Sequence, residues 1–352
     1  MSEEGLTPIV IDTGACKIKA GFAQEEVPRV VFSSSVAREK NQSFLFGREA
    51  LASNYCSPVV ESGKIICQES LLSLWNMVLQ EKLGALPNER PLLISISTIS
   101  NKLTKEIYAQ MCFEALTSPQ IMLVSSSLLV LYSSGRTSGT IVDCGHSLCT
   151  AVPIDEGAPQ KMWQTISSSA GVELDRVLAK ELNFDGKDYS QLQSIKESHC
   201  KIPMHYETES KEVSEISQMI ELPDGKKYEI GAKGLLVGEK LFNGEKNAGI
   251  SHITMEAINK AETDGATGEV LSSIILSGGT TQMSGFTERL QYDLELFSGV
   301  KTKITVQSFA DRATASWIGG SVIGTLGSFQ PFWVSKSEYD ECGPSLASRK
   351  CL

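Results

Sequence analysis

The sequence predicts a layered α/β protein built as two domains. Three observations carry that expectation: strand-like and helical segments alternate along the chain, one strand-turn-strand phrase is written twice, and 352 residues exceed what one ordinary core organises.

The elements follow in order. The chain opens on "IVIDTGACKIKAGF" (residues 9–22), an apolar strand that breaks at Asp-Thr-Gly and resumes. "PRVVFSSSV" reads as the next strand. "LLSLWNMVLQEKL" reads as a helix, because Leu71, Leu74, Trp75, Val78 and Leu79 recur at helical spacing and form one apolar stripe. "RPLLISIS" and "QIMLVSSS" read as strands on either side of a helix, "TKEIYAQMCFEAL". At residues 140–154 the opening phrase returns as "TIVDCGHSLCTAVPI". Further on, Asp224-Gly225 in "MIELPDGKKYEIG" predicts a hairpin. "SSIILSGGTTQMSGFTERLQYDLELF" runs from a strand through glycines into an amphipathic helix, and "SWIGGSVIGTL" makes a similar step. Such junctions are where backbone approaches a ligand's phosphate or sugar. No Pro-rich or Ser-rich linker divides the halves, so the domains are expected to share crossings at a hinge.

Composition narrows the function. Apolar residues at 41% and charged residues at 21% fit a folded globular protein. A net charge of -10 without a basic stripe speaks against direct nucleic-acid binding. Nine scattered cysteines with no C-x-x-C pair imply neither a disulfide framework nor a zinc module, so reduced thiols are expected. No run of about 18 apolar residues is present, so no membrane span is expected. The acidic lead "MSEEGLTPIV" does not read as a secretory signal.

One Asp-x-Gly is a common hairpin turn, but two copies at the start of two halves suggest a paired device. Two such hairpins would offer backbone N–H groups to a chain of phosphates, with glycine permitting close approach. Asp12 and Asp143 would then hold a hydrated Mg²⁺, and Lys19 on the second strand would reach the phosphates. Cys144, His146 and Cys149 resemble soft-metal ligands. Strand alternation, however, places Cys149 on the side opposite Cys144 and His146, which argues against a mononuclear site. His146 reads as a phosphate contact or an inert loop histidine.

With these residues in view, the chain resembles actin and the actin-related proteins from end to end. "DTGACKIKAGFA" is similar to the family's first phosphate loop, "LYSSGRTSGTIVDCG" to the hinge and second phosphate loop, "LSGGTTQMSGF" to the adenosine loop, "SWIGGS" to the second hinge, and "FWVSKSEYDECGPSLASRKCL" to the family's C-terminus. The resemblance implies an actin-like fold, two domains with a duplicated core around a nucleotide cleft: 1–133 plus 315–352 as the smaller domain and 134–314 as the larger. It implies ATP or ADP with Mg²⁺, the ion held through water near Asp12 and Asp143. It further implies Asp12, Thr13, Gly14, Ala15 and Lys19 on the first phosphate loop, and Asp143, Gly145 and His146 on the second. Gly171 matches the ribose-side glycine, Lys196 and Glu197 the base-and-ribose pair, and Gly278, Gly279, Thr280 and Thr281 the adenosine loop.

Departures from the family pattern concentrate at the terminal phosphate. Ala15-Cys16 replaces Ser-Gly in the first loop, and His146-Ser147 replaces Asp-Gly in the second. Ser126 stands where the family has its water-orienting glutamine, and Thr150 where it has a helper histidine, so fast hydrolysis is not expected. Gln282 and Met283 replace a Met-Tyr pair beside the base, and Ala313 replaces a lysine next to Arg312. "REKNQSFLFGREA" is too short for the excursion loop by which one family subunit grips the next.

The expectation is a divergent actin-related structural subunit of a larger cytoskeletal assembly, with weak or static nucleotide binding. Its partners would be other proteins of a cytoskeletal or motor-associated assembly, actin or actin-related proteins among them, with no direct nucleic acid and no membrane. The expected home is the cytoplasm and its cytoskeleton, a cilium or the nucleus being the other candidates. Two readings compete with it: a polymerising actin-like ATPase, and a nuclear subunit of a chromatin-remodelling complex.

Overall fold

The fold grows from the two hairpins that the repeated phrase encodes. The computed structural model describes residues 6–39, 43–53, 55–184, 189–214, 219–222, 225–243, 248–298, 305–307 and 311–352. In it Ile9–Thr13 pairs antiparallel with Lys17–Phe22 in the register Thr13↔Ile18. Gly139–Cys144 pairs with Cys149–Asp155 in the register Cys144↔Cys149. Both turns close the same way, since the Gly14 N–H donates to Lys17 O (3.1 Å) and the Gly145 N–H to Leu148 O (2.9 Å). The two hairpins are therefore equivalent residue by residue. Asp12 corresponds to Asp143, Ala15 to His146, and Lys19 to Thr150.

Each hairpin seeds its own unit. The first unit is Met1–Arg136 with Thr314–Leu352, and the second is Thr137–Ala313. In the first, the sheet runs in the order Val334–Ser335, Gln120–Ser125, Leu92–Ile96, Ile9–Thr13, Lys17–Phe22, Val30–Ser33. In the second, Cys149–Asp155, Gly139–Cys144, Ser273–Ser277 and Thr305–Gln307 are neighbours in that order, and Ala158–Pro159 and Thr165–Ser167 both add to the Cys149–Asp155 strand. A hairpin, a third antiparallel strand on its outer side and two parallel strands on its inner side recur in both. The central strands are buried on both faces, which explains their nearly unbroken apolar runs: Ile9, Val10 and Ile11 have no exposed surface, nor have Ile274, Ile275 and Leu276.

Helices cover these sheets with the stripes seen in the sequence. Leu71, Leu74, Trp75, Val78 and Leu79 are all fully buried in the first unit's core. The segment is an α-helix only over Gln68–Asn76. It then widens over Met77–Lys82, with the Leu83 N–H reaching back five residues to Val78 O (2.9 Å). The second expected helix behaves alike, α-helical over Lys102–Gln110 and widened over Met111–Ala115. Its start is capped by the Asn101 Oδ1, which accepts the Thr104 N–H at 2.9 Å. The Asp-Gly hairpin forms between Met219–Glu221 and Lys227–Glu229. Gly225 supplies a φ of +81° there, whereas Pro223 and Asp224 lie outside the described residues. Among the described residues no helix is long and apolar enough to cross a membrane.

Burial sorts the thiols by reactivity. It pushes Cys112 well above the ordinary thiol range and Cys200 up to about 12, whereas hydrogen bonds from Ser70 at a helix start hold Cys67 below it. Iodoacetamide at neutral pH is expected to label Cys67 and the exposed Cys342 in native protein, and Cys112 and Cys200 only in denaturant. Peptide mass spectrometry reads the order directly, and native labelling of Cys112 as fast as Cys342 would contradict it.

Candidate functional site

Each hairpin places its aspartate at the same level of the sheet. Asp12 lies beside Ser95 in the parallel register and Asp143 beside Ser277. In the first unit the cross-strand partner of Asp12 is Lys19, and the two side chains form a mostly buried ion pair at 2.9 Å. In the second unit the equivalent partner of Asp143 is Thr150, a buried hydroxyl with no charge. The duplication is thus complete in backbone and asymmetric in chemistry.

The first loop is held from below by contacts that the sequence did not show. Ser34, fully buried between two strands, donates its hydroxyl to Gly14 O (2.6 Å) and its N–H to Cys16 O (3.0 Å). The Trp75 indole donates to the Thr13 hydroxyl (3.0 Å), so the apolar stripe of that helix ends on the loop. Ala15 is half-buried at the turn. Ser126 opens helix Ser126–Ser133, 3.2 Å from the Thr98 hydroxyl, in a cluster that includes Ser125 and Ser127.

The second loop is the hub of its unit. Its carbonyls cap helix Gly171–Leu182, which has no side-chain cap: the Gly171 N–H donates to Gly145 O (3.1 Å) and the Val172 N–H to His146 O (2.6 Å). Thr280 Oγ1 donates to the same Gly145 O at 2.8 Å. Gly171 is required by this packing, because a β-carbon there would meet Thr280 Oγ1 at 2.9 Å and His146 Cα at 3.1 Å. The loop from Gly278 to Thr281 turns tightly beside it. Gly278 adopts φ +90°, its N–H donates to Arg312 O (3.0 Å), and Thr281 Oγ1 returns to Gly278 O (2.7 Å).

Lys196 joins this cluster and Glu197 does not. Lys196 is buried, its Nζ 2.6 Å from Asp175 Oδ1 and 3.4 Å from Gly171 O, while Glu197 is exposed. The contact with Asp175 is an ion pair between two buried side chains. His146 Nδ1 stands 3.7 Å from the other oxygen of Asp175. The departures at 282 and 283 find internal roles, since Gln282 donates to Asp311 (3.3 Å) and Met283 packs on the second unit's core. Arg312 donates to the Thr287 hydroxyl (3.0 Å).

One sequence expectation is corrected here. Alternation along a strand was the ground for placing Cys149 away from Cys144, but the chain reverses between them and the register sets them opposite one another. Their sulfurs are set in contact across the hairpin. Among the described residues no group of three His, Cys, Asp or Glu side chains is placed to hold a metal ion directly.

The donor set suits a phosphate ligand with a hydrated cation. A β-carbon at Gly145 would meet nothing nearer than Leu148 O at 3.6 Å, and one at Gly279 nothing nearer than Ala313 at 3.9 Å, so there is open space beside both glycines. Each hairpin keeps one carboxylate, Asp12 in the first unit and Asp143 in the second, of the hard-oxygen type that suits a hydrated Mg²⁺. Compared with models of protein families, the chain matches the family described as Actin over residues 3–190 and again over 187–352.

Proposed function

The chain belongs to the actin family, and from that membership we propose that it is a divergent actin-related subunit docked in a larger cytoskeletal assembly of the cytoplasm. It holds ATP or ADP with Mg²⁺ weakly or as a static ligand and turns it over slowly. Lys19, the loop backbones and the glycines at 278 and 279 would meet the nucleotide, while Asp12 and Asp143 would orient water around the ion, which supplies charge neutralisation at the phosphates.

The observation that carries the structural-subunit reading is the hairpin between Arg38 and Phe44. Strands Ser35–Arg38 and Phe44–Phe46 pair as far as Arg38↔Phe44, and the Glu39 N–H donates to Ser43 O (3.1 Å), so no long excursion leaves this edge. Arg38 adds a two-point ion pair to Glu69 (2.7 and 3.2 Å) and lies over the Phe44 ring, tying the hairpin to the neighbouring helix. A head-to-tail filament needs both halves of a heterologous contact on every subunit, and this half is short.

Pure protein in polymerising salt is expected to stay in the supernatant after high-speed sedimentation and to show no regular filaments by electron microscopy. Abundant filaments would reject the subunit reading in favour of the polymerising ATPase. Nucleotide is expected to raise the melting temperature at millimolar ATP by mass action on the folded state. No shift, together with no nucleotide co-purifying with the native protein, would reject nucleotide binding.

A further inference from the structure

The ammonium of Lys196 already has a counter-ion. Asp175 lies one helical turn beyond Gly171, so its side chain shares the face that meets the second loop. Lys196 enters from helix Tyr189–His199 and His146 from the loop, and both converge on the Asp175 carboxylate at 2.6 and 3.7 Å. Lys196 and Asp175 keep 8% and 9% of their side-chain surface, so little water screens them. Cys200, beside the pair, is kept neutral by burial.

A lone buried cation beside a phosphate loop would draw in negative charge strongly. With a carboxylate resident at 2.6 Å, its field is largely cancelled before any ligand arrives. We propose that Asp175 is a specificity-determining residue of the nucleotide site. It occupies Lys196 in place of a ligand's charge and so weakens the pocket's preference for highly phosphorylated ligands over uncharged nucleosides. The inference rests on the nucleotide reading above and names what regulates the charge balance of that same site. The sequence hides it, because Asp175 in "VELDRVL" reads as one more acid on a solvated helix face.

The test is a charge cycle read as a ratio of affinities for ATP and adenosine by calorimetry on the full chain. Asp175→Asn leaves Lys196 uncompensated and is expected to raise the ratio about tenfold. Lys196→Gln leaves Asp175 uncompensated and is expected to lower it about tenfold. The double variant Asp175→Asn/Lys196→Gln carries no unpaired charge, so it should fold if either single variant does not, and its ratio should return to the wild-type value. Single-variant ratios equal to wild type, or a double variant whose ratio departs from it tenfold, would overturn the proposal. A purely structural role would weaken adenosine and ATP alike and leave the ratio still. If the wild type binds neither ligand, the nucleotide reading fails first and takes this inference with it.

Discussion

Replacing Gly278 by alanine is expected to destabilise the second unit by on the order of 3 kcal/mol or more. Two independent penalties add. At φ +90° and ψ 144° the residue occupies a region that is costly for any side chain, at about 1–3 kcal/mol. A β-carbon would also fall 2.5 Å from the carbonyl carbon of Cys144 and nearer still to its oxygen, inside van der Waals contact with backbone that cannot move aside. That backbone is the neck of the second loop, so the damage should reach Gly145 and the start of helix Gly171–Leu182. Gly268→Ala is the control in the same unit: a β-carbon there meets nothing within 4 Å at a helix start, and the change should be neutral or slightly stabilising. Urea midpoints of the two variants compare directly. Equal midpoints would mean that the turn tolerates a side chain and that the glycine is not required by geometry.

Single-turnover hydrolysis of labelled ATP is expected to run at least about 100-fold slower than in a relative that carries glutamine and histidine at the positions of Ser126 and Thr150. The Ser126 hydroxyl stands 3.2 Å from Thr98 in a cluster of short hydroxyls, and a serine lacks the reach of an amide. Thr150 is buried opposite Asp143, with Ile166 on its other flank. Neither is built to hold an attacking water in line, and phosphoryl transfer depends on that positioning. Ser126→Gln with Thr150→His should recover part of the rate. Recovery should be incomplete while His146 and Ser147 remain in the second loop. A wild-type rate equal to that of an active family member would show that other groups position the water.

What was legible in the sequence was local. The repeated Asp-x-Gly phrase announced two hairpins because a glycine at a fixed place between apolar runs has few other uses, and both hairpins formed with one register. The stripe from Leu71 to Leu79 announced a buried helical face, although the helix widens after Asn76. Gly278 stood out at a strand-to-helix step as a point of approach to a ligand and Gly171 by its family match, and the structure shows each crowded instead by backbone or a side chain from a distant segment.

The sequence by itself determined the family, the two-unit α/β architecture and the positions of the glycine loops. These depend on periodicity and on short motifs whose residues are neighbours in the chain. Only the tertiary structure decided which charges meet. Ser34 under the first loop, Trp75 on Thr13, the facing of Cys144 and Cys149 and the Asp175–Lys196 pair all join residues across a turn or across separate elements. Polar residues at such positions look like solvated surface until packing buries them. Burial then makes their pairing obligatory, because an unpaired polar group away from water costs more than the ordering needed to satisfy it.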